Sequence, residues 1–176
     1  PYDGGTTFRV WAPHASDVSV TGSFNGWSHW QHPLASERNG YWSVDVPDVL
    51  PGAAYKWVIH HGRRRLLRTD PYAREVTPLY QNSIVRDPYP VQEAVPPAWM
   101  PTWNRMVIYE LHVGTFGASA DGPPADFDAL SARIPYLQAL GVNVIELMPV
   151  AEFPGDFSWG YNPAHPFAVT QTYGGP

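Results

Sequence analysis

The first half of the chain alternates apolar and polar residues over short stretches that turn residues separate. Residues 41–46 and 55–60 follow the two-residue period of a strand that is buried on one face only. Asn-Gly at 25–26 and Pro-Gly at 51–52 are turn signals. The strands that this pattern predicts cover residues 7–12, 18–24, 41–46, 55–60, 66–67 and 82–85. No helical period lies between them, so we expect an antiparallel, all-β, immunoglobulin-like sandwich over residues 1–87.

Prolines mark the end of this predicted sandwich. The chain carries five of them between residues 87 and 101. Because proline fixes φ and lacks a backbone N–H, such a run predicts a stiff, extended connection. We therefore expect a linker over 88–101 and a second domain over 102–176.

The second domain begins with two apolar runs of strand length, 106–113 and 142–148, on either side of a helical pattern. Apolar residues recur every three or four positions in that pattern, at 127, 130, 134, 137 and 140. Asp126 can cap the helix, Pro135 should kink or split it, and Gly141 stands where a left-handed C-terminal cap belongs. Strand, helix and strand with continuously apolar strands predict a βαβ unit of a parallel sheet.

Composition and charge narrow the class of partner. A net charge of −5 and a pI near 5.7 argue against a nucleic-acid partner, which would need a basic face. No apolar run reaches the ~20 residues that span a bilayer, so no membrane partner is expected. The sequence has no cysteine, which excludes thiolate metal sites and fits a reducing, cytoplasmic compartment. Because the sequence starts at Pro1 and not at a methionine, it does not decide whether a leader precedes it.

Aromatic residues are the unusual part of the composition, with 8 Trp and 10 Tyr. Flat rings stack on the C–H-rich faces of sugars, and they also fill the cores of small β-domains. Composition alone leaves both interpretations open. We expect no cofactor, and no dense cluster of acidic oxygen ligands points to a metal.

Several motifs stand in order along the chain: FRVWAP at 8–13, GSFNGW at 22–27, YKW at 55–57 and DPYA at 70–73. Together they resemble carbohydrate-binding module family 48, a sandwich that precedes the catalytic barrel in many members of glycoside hydrolase family 13. Further along, YELHVGTF at 109–116 and LGVNVIELMPV at 140–150 resemble the first two strands of that family's TIM (β/α)8 barrel. The long loop that we expect over 149–176 carries SWGYNP and YGGP, which resemble the segments that follow there.

The resemblance implies an enzyme of α-glucan metabolism whose partners are α-1,4-glucans such as glycogen and maltooligosaccharides. Asn162-Pro163 after Trp-Gly-Tyr favours the glucan-branching members, which transfer α-1,4-glucan chains to α-1,6 branch points with retention. The alternatives are a trehalose-releasing or other hydrolase of the α-amylase family and, in another class, a non-catalytic glucan-binding module. Retaining chemistry needs two carboxyl groups ~5 Å apart.

By resemblance, those two groups follow strands four and five of the barrel. We therefore expect no catalytic residue within this segment, and no activity from it alone. The acids of the second domain have other expected roles. Glu110 and Glu146 should face structural hydrogen-bond partners, and Glu152 and Asp156 should be solvated or order a loop.

Candidate substrate contacts lie where loops leave the carboxyl ends of barrel strands. By resemblance, Tyr161 stacks on the sugar beside the scissile bond. Trp159, Asn162, His165 and His112 are further substrate-binding candidates. For each of the five, the competing interpretation is packing within the loop or a structural hydrogen bond.

A second candidate site lies on the sandwich. Trp27, Lys56 and Asn82 match the positions by which related sandwiches bind glucan. Arg63 stands where those relatives have a second tryptophan. The alternative is a packing role for these residues, and the tryptophans at 11, 42 and 57 are interpreted as core or interface residues.

Overall fold

The computed structural model describes residues 1–78, 81–87, 100–155 and 157–176. It divides the chain into two compact units, Pro1–Pro90 and Val91–Pro176. Most of the predicted linker, 88–99, lies outside the described residues. Within the described part, no helix has the length and apolar character needed to cross a membrane.

The first unit consists of seven short strands in two antiparallel sheets. One sheet has the order β1-β4-β3, and the other has the order β2-β5-β6 with β7 also paired to β5. The strands are β1 Gly5–Trp11, β2 Asp17–Gly22, β3 Ala35–Ser36, β4 Tyr41–Pro47, β5 Ala54–His61, β6 Arg64–Arg68 and β7 Ser83–Ile84. The sequence pattern predicted all of them except β3, whose two exposed residues show no alternation.

The core between the two sheets is aromatic at its centre. The ring of Phe8 on β1 lies 5.0 Å from the ring of Tyr55 and 6.1 Å from that of Trp57, both on β5. Valines from β2 and β4 complete the cluster. The alternation of β4 and β5 therefore places the predicted faces inward, which confirms a two-layer sandwich.

The three tryptophans at 11, 42 and 57 have different surroundings. Trp57 is buried, and Trp42 packs against the core while its indole N–H donates to the Ala12 carbonyl over 3.1 Å. Trp11 is 60% exposed, which excludes the core and leaves an interface role as the prediction for this residue. It lies at the end of β1, where the alternation points its side chain away from the core.

The turn after β2 holds an aromatic side chain at the surface. The Asn25 side chain accepts from the Gly22 N–H and donates to the Val20 carbonyl. Gly26 and Trp27 both adopt positive φ, 60° and 61°, and the Trp27 N–H donates to the Gly22 carbonyl over 2.9 Å. The predicted Asn-Gly turn is thus confirmed, and it fixes the backbone of Trp27.

The second unit starts with the predicted strand, helix and strand. Strands β8 Ile108–Leu111 and β9 Val144–Leu147 are parallel and in register from Ile108↔Val144 to Leu111↔Leu147. Between them the helix is split into α1 Phe127–Ser131 and α2 Ile134–Ala139. A parallel pair with a helical crossover is a βαβ unit.

The caps and the break of the helix fall where the sequence predicts them. The Asp126 carboxylate accepts from the Ala129 N–H over 2.8 Å at the start of α1. Pro135 lies in the first turn of α2, where its missing N–H costs no intrahelical hydrogen bond. Gly141 follows α2 with φ 85°.

The expectation of an uninterrupted loop over 149–176 is wrong. Strands β10 Ala151–Glu152 and β11 His165–Val169 pair antiparallel, and a 3-10 helix covers Gln171–Tyr173. β10 is too short to show a period. β11 contains Pro166, which argues against a strand in a sequence pattern but is compatible with an edge position.

Candidate functional site

An open cavity of about 510 Å³ lies in the second unit, beyond the carboxyl end of β8. Side chains from three separate segments line it. They include His112 and Thr115 after β8, Ser158 and Trp159 from the loop between β10 and β11, and Tyr173 from the 3-10 helix. Polar groups that converge on a concave surface are the usual form of a ligand site.

His112 is held by hydrogen bonds on both ring nitrogens. Its Nε2 lies 2.9 Å from the Ser158 carbonyl oxygen and 2.7 Å from the Tyr173 hydroxyl oxygen, and its Nδ1 lies 3.1 Å from the Thr115 hydroxyl. A carbonyl can only accept, so Nε2 donates to the Ser158 oxygen, and the Thr115 hydroxyl is the hydrogen-bond partner of Nδ1. His112 is therefore a positioning residue that ties the 158 segment to the end of β8.

Tyr173 contacts both His112 and the Ser158 carbonyl through its hydroxyl. It is buried, and burial raises the pKa of its phenol. The hydroxyl therefore stays protonated, and it donates to the Ser158 carbonyl over 3.3 Å. Its ring stands edge-on to the His112 ring, with centroids 5.7 Å apart.

The loop that His112 anchors presents two aromatic rings to solvent. Trp159 is 73% exposed and Tyr161 is 66% exposed. Between them, Gly160 has φ 86°, and a Cβ at this position would lie 2.1 Å from the Pro149 carbonyl oxygen. Only glycine fits there. The backbone of the loop therefore packs closely against the Pro149 carbonyl, while the two flanking rings remain exposed to solvent.

The two other loop candidates have different surroundings. The Asn162 side chain accepts from the Ser158 hydroxyl, which also accepts from the Gly160 N–H over 3.0 Å. Asn162 is exposed and therefore orders the loop next to the rings. His165 lies in β11, opposite Glu152, and it is buried. The structure thus brings Tyr161, Trp159, Asn162 and His112 into one region, with His165 on a strand and not in the loop.

The acids of the second unit have different surroundings. Glu110 and Glu146 are neighbours in the β8–β9 register, and both are exposed. The structure gives neither side chain a hydrogen bond within the described residues, and their expected structural role stays a prediction. Glu152 is buried and accepts from the Gln171 N–H over 3.0 Å, which is a loop-ordering role. Asp156 lies outside the described residues.

No metal site is evident in the part of the chain that the structure describes. No group of three or more His, Cys, Asp or Glu side chains there could hold an ion. The expectation of no cofactor remains a prediction, and the sequence makes no prediction about a metal requirement.

The candidates on the sandwich lie near one another. Lys56 on β5 pairs with Thr21 on β2. The next residue of β2, Gly22, accepts a hydrogen bond from the Trp27 N–H through its carbonyl. On the other side of β5, Tyr55, the neighbour of Lys56, pairs with Ser83, the neighbour of Asn82. Trp27 is partly exposed at 39%. The strand pairing therefore brings the segments that carry these three residues to the same end of the sheet.

Ser158 and Tyr173 were missed by sequence reasoning, although both hold His112 in place. Their contacts join segments 46 and 61 residues away from His112. No local period connects such positions. In the sequence, Tyr173 could have been singled out only by its position directly before Gly174-Gly175-Pro176.

Comparisons with known proteins agree with this arrangement. Residues 1–73 match the family model of carbohydrate-binding module 48 (isoamylase N-terminal domain). The chain is 43% identical to 1,4-alpha-glucan branching enzyme GlgB 1 of Xanthomonas axonopodis pv. citri, covering 98% of the chain and 25% of that enzyme. It is 39% identical, with the same coverages, to GlgB of Nitrosomonas eutropha. The chain thus spans about a quarter of the length of these curated relatives.

Solved structures show the same resemblance. A putative alpha amylase from Salmonella typhimurium matches 98% of the chain and 28% of its own, with a TM-score of 0.78 and 32% identity. Pullulanase type I from Bacillus subtilis, solved with maltose, matches 98% of the chain and 27% of its own, with a TM-score of 0.82 and 28% identity. The chain therefore has the fold of a part of α-amylase-family enzymes. Within them, its sequence is similar to a part of the glucan branching enzymes that includes a carbohydrate-binding module 48.

Proposed function

We propose that this chain is a substrate-contacting part of a 1,4-α-glucan branching enzyme, which transfers α-1,4-glucan chains to α-1,6 branch points with retention. One observation carries the proposal: the exposed ring of Trp159 lines a cavity at the carboxyl end of β8, and the exposed ring of Tyr161 follows two residues later in the same loop. This is the end at which barrel enzymes bind substrate. The similarity to branching enzymes supports the choice of reaction.

We further propose that the βαβ unit is the beginning of a TIM (β/α)8 barrel over 102–176. The support is the exposure of apolar strand residues, with Ile108 at 50% and Leu147 at 40%. Strands of a complete parallel barrel are buried on both faces, so further strands and helices would cover these side chains. In this scheme, residues 1–87 form an immunoglobulin-like binding module and 88–101 the linker.

Each candidate residue has a role in this scheme. Tyr161 stacks on the sugar beside the scissile bond, and Trp159 extends that surface. Asn162 and His112 hold the loop, and His112 also lines the cavity. His165 is the weakest candidate because it is buried in β11. The nucleophile and the general acid come from barrel strands that follow in the whole enzyme, so this segment alone is inactive.

The test is to replace Tyr161 by alanine in the whole enzyme that carries this segment. We expect kcat/KM for amylose to fall about 100-fold, equivalent to ~2.7 kcal/mol of lost transition-state stabilisation. Branching is followed by the loss of iodine absorbance without new reducing ends, while hydrolysis or trehalose release produces soluble sugar. Tyr136, 56% exposed on α2 and away from the cavity, provides the control Tyr136→Ala, which should leave the rate unchanged. Equal rates for both variants, or products of hydrolysis alone, would refute the proposal.

A second function, glucan binding by the sandwich, is favoured by the strand pairing that brings the segments of Trp27, Lys56 and Asn82 to the same end of the sheet and by the family match over residues 1–73. We propose that Trp27 stacks on a sugar ring and that Lys56 and Asn82 bond its hydroxyls. The ligands are α-1,4-glucans, including glycogen and maltooligosaccharides.

Affinity electrophoresis of the 176-residue chain in gels with glycogen tests this binding. The unmutated chain should be retarded, and Trp27→Ala and Lys56→Ala should each reduce the retardation severalfold. Trp11→Ala removes an exposed tryptophan from the other sheet and should have no effect. If glycogen does not slow the unmutated chain, the sandwich has no such function.

A further inference from the structure

A third tryptophan, Trp30, is exposed on the first unit without an assigned role. It is 67% exposed, and its ring lies over the ring of His60, with centroids 5.2 Å apart and an interplanar angle of 40°. Leaving so much apolar surface in water forgoes the stabilisation that burial of the ring would give. The core therefore does not require a tryptophan at this position.

The backbone that carries Trp30 is fixed to the sheet. The Ser19 hydroxyl donates to the His29 carbonyl, and the Val20 N–H donates to the His32 carbonyl over 3.0 Å. The Leu34 N–H donates to the Val18 carbonyl over 2.8 Å. Trp30 thus lies on a segment that follows the edge of β2. A ring held in this way loses little conformational entropy when it binds a ligand.

Trp30 and Trp27 lie near opposite ends of one row of residues on β5, formed by Lys56, Val58 and His60, of which Val58 is fully buried. Lys56 and His60 point to the same face of that strand, opposite the core, because they are four residues apart. Four residues of strand span ~13 Å. Trp27 is near the Lys56 end through Gly22, and Trp30 covers the His60 end. A row of this length is longer than a single pyranose ring.

We propose that Trp30, supported by His60, is a second stacking platform for an α-1,4-glucan chain whose first platform is Trp27. The inference rests on the glucan binding proposed for the sandwich. Two exposed rings, with Lys56 near the first of them, suit a ligand that repeats an apolar face and hydroxyl groups along its length. The family match over residues 1–73, which includes both tryptophans, favours an α-glucan as that ligand.

The test uses the length of the ligand. Calorimetric titration of the 176-residue chain should give at least fivefold tighter binding of maltoheptaose than of maltotriose, because only the longer sugar reaches both rings. Trp30→Ala should remove this difference and leave maltotriose binding unchanged. Trp30→Phe should restore part of the difference, and Trp27→Ala should weaken the binding of both sugars.

The controls separate this inference from the one on which it rests. Because Trp30 is exposed, Trp30→Ala should unfold at the same temperature as the unmutated chain, and Trp11→Ala should bind both sugars normally. If Trp27→Ala weakens binding and Trp30→Ala keeps the length dependence, only the second platform is refuted. If the unmutated chain binds neither sugar, the binding function and the second platform both fail. Equal affinity for cellohexaose would refute the assignment to an α-glucan.

Discussion

Replacing Trp57 by alanine is expected to lower the free energy of unfolding of the first unit by about 3–5 kcal/mol. Trp57 is only 1% exposed, and it is among the largest fully buried side chains of the unit. Its ring contacts Phe8 edge-on at 6.1 Å and Tyr55 edge-on at 5.6 Å. Alanine would leave a cavity between the two sheets and remove both ring contacts. A domain is commonly stable by only about 5–15 kcal/mol, so a large part of that margin would be lost.

Urea unfolding followed by far-UV circular dichroism measures this effect. Trp57→Phe is the informative intermediate, because the indole N–H of Trp57 has no hydrogen-bond partner among the described residues. Phenylalanine removes that unsatisfied donor while it keeps a ring, so we expect a cost of only about 1–2 kcal/mol. Trp11→Ala, at 60% exposure, should cost less than about 1 kcal/mol. Equal losses for Trp57→Ala and Trp11→Ala would show that the core is not centred on Trp57.

The strands that pack around Trp57 were predictable because each carries its own signal. β4 and β5 carry apolar residues on the core side at every second position, and the Asn25-Gly26 turn has a conformation that few other residue pairs adopt. The helix was predictable down to its cap at Asp126 and its break at Pro135 for the same reason. In each case, the residues that determine the structure are neighbours in the chain.

The features that sequence reasoning missed depend on distant partners. β10 has only two residues, and it exists because it pairs with β11 more than ten residues later. The position of Trp11 depends on where β1 ends, and alternation does not determine that end. In the candidate site, Tyr161 and Trp159 were predicted by resemblance, whereas the network of His112, Ser158 and Tyr173 that supports them required coordinates.

Replacing Gly160 by alanine is expected to destabilise the second unit by roughly 3 kcal/mol and to displace the rings on either side of it. Two costs add at this position. The φ of 86° is unfavourable for any residue with a Cβ, and that Cβ would lie 2.1 Å from the Pro149 carbonyl oxygen. The oxygen belongs to backbone and cannot rotate away, so the loop must move outward. A shift of about 1 Å in a substrate-positioning group can cost ~100-fold in rate.

Gly155 in the same loop separates the two costs. Its φ is 84°, and a Cβ added there meets nothing within 4 Å. Gly155→Ala should therefore carry only the backbone cost, about 1 kcal/mol. Limited proteolysis of the 176-residue chain reports opening of the loop, and the branching rate of the whole enzyme reports the position of Tyr161. Because the two glycines share a conformation and differ in their neighbours, a greater effect at 160 on both measurements isolates the contact with Pro149. Equal effects would mean that this contact does not hold the aromatic loop in place.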